Sequence, residues 1–134
     1  MRKVTLFLTL IAIFAGCGQN TQKAEQVTAN TNNVNVYYFH GKKRCKTCVA
    51  VGDVARQTVE KNFADNNNVC FIDINTSENR NDALIEKFEV TWNALIIAKG
   101  EDFVEITEQA FATAVKNPQS LENLIKEEVN KRQQ

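Results

Sequence analysis

Two patterns of apolar residues alternate along the chain from residue 34 onward, one typical of strands and the other of helices. Residues 34–39 are β-branched and aromatic, and residues 69–74 are nearly all apolar, so both are predicted strands, the second one buried. Between them, apolar residues at spacings of three and four predict an amphipathic helix over about residues 45–63. The apolar side of this helix contains Cys48, Val51, Ala55, Val59 and Phe63. The two strands should be parallel and joined by a right-handed crossover.

The second half of the chain predicts another helix and then a hairpin. Thr76 or Ser77 is expected to cap the second helix. Its apolar residues are Leu84, Ile85 and Phe88. Residues 94–98 and 103–107 are predicted strands, and the short turn between them predicts a hairpin.

The last part of the chain predicts two helices. A short one is expected around residues 108–115, and Asn117 should cap the last helix, with Pro118 at its first position. The buried stripe of the last helix is expected to contain Leu121, Leu124, Ile125 and Val129. The order β-α-β-α-β-β-α predicts an α/β fold with a central mixed sheet and helices on both faces.

The first 33 residues show a different pattern. Two basic residues precede an apolar run at residues 4–15, which is too short for a comfortable membrane span. Residues 14–17, Phe-Ala-Gly-Cys, resemble a bacterial lipobox, which implies cleavage after a signal peptide of residues 1–16 and a lipid anchor on Cys17. The alternative is an ordinary signal peptide with a spare cysteine. Either predicts export to the periplasm or cell surface, where disulfides persist.

The length of the chain predicts a single domain, which is expected over residues 34–132. The polar residues 17–33 before it are expected to form a flexible tether. The chain has 16 basic and 16 acidic residues, so its charge gives no indication of nucleic-acid binding. The basic residues are nevertheless crowded at one place. They are Lys42, Lys43, Arg44 and Lys46, and they surround Cys45.

Cys45 and Cys48 form a Cys-x-x-Cys pair where the first strand gives way to the first helix. A thiolate is the nucleophile in thiol chemistry, and a helix N-terminus and neighbouring cations both favour it. Between residue 34 and Cys45 the chain has no carboxylate, so we expect none to oppose these cations. Cys45 is therefore predicted to be the exposed attacking thiol, and Cys48 the buried resolving thiol.

On this motif and the order of elements after it, residues 34–132 resemble the thioredoxin-like family. The resemblance implies a dithiol/disulfide couple that exchanges disulfides with protein or small-molecule partners, as a monomer without a cofactor or metal. Three positions depart from the family. Arg44 stands in place of the usual tryptophan, Phe39 in place of a buried acid, and Ala94 in place of a cis-proline. We expect a trans bond before Ala94, because a cis bond without proline costs about 3 kcal/mol.

Three alternatives to thiol-disulfide exchange remain at this stage. The pair could be a structural disulfide, or the fold could serve only as an interaction domain. The third is a metal or metalloid site formed by Cys45, Cys48 and His40, with a fourth ligand from outside the chain or from Cys70.

The residues around the pair have expected places of their own. Cys70 is predicted to be a buried free thiol in the second strand. His40 is expected near the site, where an imidazole would help to hold Cys45 as a thiolate. Trp92 is expected to cap the core or to lie over the disulfide.

Overall fold

The computed structural model describes residues 29–134. The predicted signal peptide, the lipidation at Cys17 and most of the predicted tether lie outside these residues. The described residues form four strands and four helices, with a 3₁₀ turn at Asn79–Asn81. In chain order the elements are β1 (Val34–His40), α1 (Lys46–Asn62), β2 (Val69–Asn75), α2 (Asp82–Lys87), β3 (Ala94–Lys99), β4 (Asp102–Glu105), α3 (Thr107–Thr113) and α4 (Pro118–Gln133).

The four strands form one mixed sheet in the order β2-β1-β3-β4. β1 pairs in parallel with β2, with Val34 opposite Val69, and the pairs β1–β3 and β3–β4 are antiparallel. The predicted parallel pair and hairpin are thus confirmed, within an α/β fold. The expectation that β2 is buried is wrong, because β1 is its only neighbour among the described strands. Phe71 and Ile72 are accordingly only partly buried.

Helices cover both faces of the sheet, as predicted, and the two faces have different cores. Val34, Val36 and Tyr38 of β1 point to the face covered by α1, α3 and α4, which holds the larger core. On the other face, Phe88, the residue that follows α2, packs against Tyr37 and Phe39 in an aromatic cluster. The alternation of side chains along β1 therefore assigns Tyr38 and His40 to the α1 side of the sheet.

Two predicted boundaries are wrong for local reasons. Neither Thr76 nor Ser77 caps α2, because a turn and the 3₁₀ segment intervene before the helix begins at Asp82. In that turn the Asn75 side chain accepts a hydrogen bond from the Ser77 backbone N–H at 3.0 Å. The fourth strand ends at Glu105, since Thr107 already begins α3.

The cap of the last helix is confirmed. The Asn117 side chain accepts a hydrogen bond from the Ser120 N–H at 3.3 Å, and Pro118 is the first residue of α4. Leu121, Ile125 and Val129 form the buried stripe, and Leu124 packs partly buried beside them.

The first described residues lie against the beginning of β1. Ala29 packs on the core of the α2 side, and the Asn30 carbonyl accepts hydrogen bonds from Asn33 N and Asn35 Nδ2, both at 3.1 Å. Across residues 29–134, every helix is too short or too polar to cross a membrane.

Candidate functional site

Cys45 and Cys48 are joined in a disulfide at the N-terminus of α1. Cys45 is the N-cap residue, with extended backbone angles (φ −77°, ψ 168°), and its Sγ accepts a hydrogen bond from the Cys48 N–H at 3.0 Å. Cys45 is exposed, whereas Cys48 is only 6 % exposed. One cysteine of the pair is therefore exposed, with its sulfur beside a helix N–H group, and the other is buried. This is the asymmetry that the sequence predicts.

Tyr38 of β1 is hydrogen-bonded to Cys48, the buried cysteine of the motif. Its hydroxyl donates a hydrogen bond to the Cys48 carbonyl at 2.6 Å. Burial raises the pKa of Tyr38 above its usual value, against the opposing effect of the Arg44 cation. The phenol therefore keeps its proton at neutral pH and remains a donor that ties β1 to the first turn of α1.

Arg44 folds back from the loop onto Tyr38. Its guanidinium carbon lies 5.3 Å from the centre of the Tyr38 ring, and its Nη2 lies 3.6 Å from Asp73 Oδ2. Gly52 makes room for this packing, because a Cβ there would lie 2.8 Å from Arg44 Nη2 and 2.9 Å from Tyr38 Cε1. With its side chain 28 % exposed, Arg44 is held by α1, β1 and β2.

The carboxylate of Asp73 contacts three basic side chains near the motif. Its Oδ1 is hydrogen-bonded to His40 Nε2, and its Oδ2 lies 3.3 Å from Arg56 in addition to the Arg44 contact. Asp73 pairs with Tyr38 across the parallel strands. The expectation that no carboxylate opposes the cations is therefore wrong. That expectation rested only on the residues between the first strand and the motif. The sequence signal for Asp73 is its position as a single carboxylate within the apolar stretch 69–74.

His40 is buried at the end of β1, close to the site as expected. Its Nδ1 lies 2.9 Å from the Gly41 carbonyl oxygen, and its Nε2 faces the Asp73 carboxylate. Both ring nitrogens are engaged, and recruiting His40 to a metal would break one of these contacts.

The remaining basic residues of the motif point to solvent. Lys42, Lys43 and Lys46 are exposed, and none of them has a carboxylate within 4.0 Å among residues 29–134. The first turn of α1 contains no acidic residue. Three positive charges without a carboxylate partner therefore lie within three residues of Cys45 in the sequence, while the fourth, on Arg44, is shared with Asp73.

Ala94 and Trp92 lie near the loop that carries the cysteines. Ala94 begins β3, is buried and pairs with Phe39. The described residues contain no cis peptide bond, which confirms the trans bond expected before Ala94. Trp92 is 80 % exposed, so the expectation that it caps the core is wrong. It lines a cavity of about 250 Å³ together with Gly41, Lys43, Thr76, Thr91 and Asn93.

Cys70 differs from its predicted state. It takes part in a disulfide and is only partly buried on the edge strand, so the expectation of a buried free thiol is wrong. Within the part of the chain that the structure describes, no three His, Cys, Asp or Glu side chains form a set that could hold a metal ion. The ligand set suggested for a metal site, Cys45, Cys48, His40 and Cys70, is thus not brought together.

The comparisons with known proteins give no relative from which a role could be transferred. No protein-family model matches the chain, and no curated protein is significantly similar to it. The chemistry of the site is therefore argued from its own geometry.

Proposed function

We propose that this protein is a thioredoxin-like domain that exchanges disulfides with thiol partners through Cys45 and Cys48. The observation that carries the proposal is the unequal exposure of the two cysteines. Cys45 caps α1, is exposed and accepts a helix N–H, whereas Cys48 is buried and bonded to it. A purely structural disulfide needs neither an exposed cysteine nor three lysines near it in the sequence. The parallel β-α-β unit that holds the motif fits the same family.

The exchange proceeds in two balanced steps. A partner thiolate attacks Sγ of Cys45, which forms a mixed disulfide and displaces Cys48 as a thiolate that then takes up a proton. A second partner thiol loses its proton and attacks the partner sulfur of the mixed disulfide, so that Cys45 leaves as a thiolate. Two electrons have passed to the Cys45–Cys48 pair, and the partner is released as a disulfide. In the reverse direction, the Cys45 thiolate attacks a partner disulfide and Cys48 resolves the mixed disulfide.

The surroundings of Cys45 favour its thiolate. The Cys48 N–H, the helix N-terminus and the three exposed lysines all stabilise negative charge on its sulfur. Arg44 contributes less than its sequence position suggests, because Asp73 partly neutralises it. A stabilised thiolate favours the reduced form, so we expect a couple more oxidising than the roughly −270 mV of thioredoxin.

Cysteine variants test the proposal directly. Cys45→Ser is expected to abolish exchange with dithiothreitol, whereas Cys48→Ser should trap mixed disulfides with the natural partner, which mass spectrometry detects. Alkylation of the reduced protein across pH should give Cys45 a pKa below the usual value of about 8.5.

Two results would contradict exchange as the function. One is a Cys45–Cys48 disulfide that resists reduction by excess dithiothreitol. The other is a reduced Cys45 that alkylates with the pKa of an ordinary cysteine, because the site would then do nothing to activate it.

A further inference from the structure

Lys42, Lys43 and Lys46, the lysines nearest Cys45 in the sequence, make no contact within residues 29–134 that would explain their position through the stability of the fold. They lack carboxylate partners among the described residues, as Lys61, Lys99 and Lys116 do, but only the first three lie close together in the sequence, within five residues. Cations beside a helix N-terminus are also electrostatically unfavourable, since that end carries the positive pole of the dipole. The whole chain has a formal net charge of zero, so the concentration of positive charge is local.

An exposed aromatic side chain lies next to this charge. Trp92 is 80 % exposed, more than any other large hydrophobic residue in the described part of the chain. It shares its cavity with Lys43 and Gly41 of the motif loop. Tryptophan is among the residues most often found at the energetic centres of protein interfaces. Trp92 and the positive charge of Lys43 therefore line the same depression, next to the loop that leads into the motif.

The size of the depression favours one side chain of a larger partner. Its volume of about 250 Å³ lies below the roughly 300–1,000 Å³ of pockets that enclose whole small molecules. The lysines, by contrast, extend from the loop at Lys42 to the first residue of α1 at Lys46. A segment of polypeptide can place one apolar side chain on Trp92 and several carboxylates against the lysines at once.

We propose that Lys42, Lys43, Lys46 and Trp92 form a docking surface for an acidic, extended segment of the protein whose thiols or disulfide the pair exchanges. Carboxylates flanking the partner cysteine would contact the lysines, and an apolar side chain would rest on Trp92. Charge complementarity of this kind accelerates encounter and discriminates among partners. The inference rests on the proposed function and names the class of its substrate.

Binding can be measured without redox chemistry, because Trp92 is the only tryptophan of the chain. The full-length protein is titrated with two peptides of equal length that carry serine in place of cysteine and one leucine nearby. One peptide has glutamates on both sides of the serine, and the other has lysines. We expect the glutamate peptide to change the Trp92 fluorescence and to bind at least about tenfold more tightly at low salt. The difference should shrink at 0.5 M salt, where charges are screened over shorter distances.

Charge-reversal variants locate the effect on the surface. Lys42→Glu with Lys43→Glu should remove the preference for the glutamate peptide. Lys61→Glu with Lys116→Glu, which makes the same change in net charge at two exposed sites away from the motif, should keep it. Replacing the peptide leucine by glycine should weaken binding and leave the Trp92 fluorescence nearly unchanged.

Several outcomes would overturn the inference. Equal binding of both peptides, while dithiothreitol still reduces and reoxidises the pair, would reject the acidic partner but leave the proposed exchange function intact. A Trp92 response to vesicles of anionic phospholipid, with none to the glutamate peptide, would replace the protein partner by a membrane surface. Selective peptide binding by a protein that cannot exchange with dithiothreitol would reject the exchange function, and with it the description of this surface as a substrate site.

Discussion

Asp73, near the disulfide, and Glu128, on α4, each contact more than one basic side chain. The two clusters form in different ways. The partners of Asp73 come from separate parts of the chain. They are His40 of β1, Arg44 of the motif loop and Arg56 of α1. Those of Glu128 are Lys131 and Arg132 on the next turn of its own helix. The first cluster exists only because the sheet and α1 come together, whereas helical spacing alone brings the second one together.

The two clusters also lie at opposite ends of the sheet. Arg132 extends the Glu128 cluster to Asp102, 3.3 Å away, where the β3–β4 hairpin meets the beginning of β1. Asp73 lies toward the end of β1, near the cysteines. Of the two, only the Asp73 cluster can both stabilise the fold and alter the charge that Cys45 experiences.

Removing the charge of each carboxylate in turn is expected to give the largest difference between the two clusters, in both the free energy of unfolding and the Cys45 titration. Asp73→Asn should lower the free energy of unfolding by about 1–3 kcal/mol, because three basic groups lose their shared acceptor. It should also lower the pKa of Cys45 further, since Arg44 and Arg56 would be left uncompensated. Glu128→Gln should cost less than about 1 kcal/mol and leave the Cys45 titration unchanged. Urea denaturation and alkylation across pH measure the two effects.

The comparison would fail in either of two ways. An Asp73→Asn protein with an unchanged Cys45 titration would show that the cluster has no electrostatic influence on the thiol. A Glu128→Gln protein with a shifted Cys45 titration would show that charge acts on the thiol across the whole domain.

A smaller effect is expected from filling the space in which Arg44 packs. In Gly52→Ala, the new Cβ would lie 2.8 Å from Arg44 Nη2 and 2.9 Å from Tyr38 Cε1. Such overpacking costs about 1–3 kcal/mol, which is partly offset by the advantage of about 1 kcal/mol that alanine has over glycine in a helix. Gly41→Ala is the matched control, because nothing lies within 4 Å of a Cβ there, and it should change stability by less than about 0.5 kcal/mol.

Urea denaturation of both glycine variants measures how tightly Arg44 and the Tyr38 ring fill the space beside Gly52. Equal stability of Gly52→Ala and Gly41→Ala would mean that both side chains move aside at a cost no larger than the helix advantage of alanine. The packing of Arg44 on Tyr38 would then be too loose to hold Arg44 apart from the exposed lysines.

Features that depend on local spacing could be predicted from the sequence. The parallel strand pair, the position of Cys45 at the start of α1 and the Asn117 cap all follow from periodicity, capping residues and chain connectivity. The same local logic would find the contact between Glu128 and Arg132, which are four residues apart.

Features that depend on how distant segments meet could not be predicted in this way. Asp73 was overlooked because its partners come from three other segments. The edge position of β2 depends on where β3 pairs, and the exposure of Trp92 depends on the path of the loop before β3. The state of Cys70 likewise depends on a partner that its own strand pattern does not reveal.

The smallest effect concerns pH at the Glu128 cluster. The hydrogen bond from Lys131, with a further one from Arg132, holds the pKa of Glu128 below its usual range. A carboxyl whose pKa is lower in the folded state contributes stability above its unfolded pKa of about 4.3 and loses that contribution as pH falls through the folded value. The difference in unfolding free energy between the wild type and Glu128→Gln should therefore be present at pH 6, at less than about 1 kcal/mol, and should vanish well below pH 4. Urea denaturation at pH 6 and pH 2.5 measures it, and repeating the pH 6 experiment in 1 M salt should reduce the part that comes from the exposed Lys131. A difference that grows on acidification would mean that Glu128 is stabilised in its protonated form, in conflict with the two basic side chains that contact it.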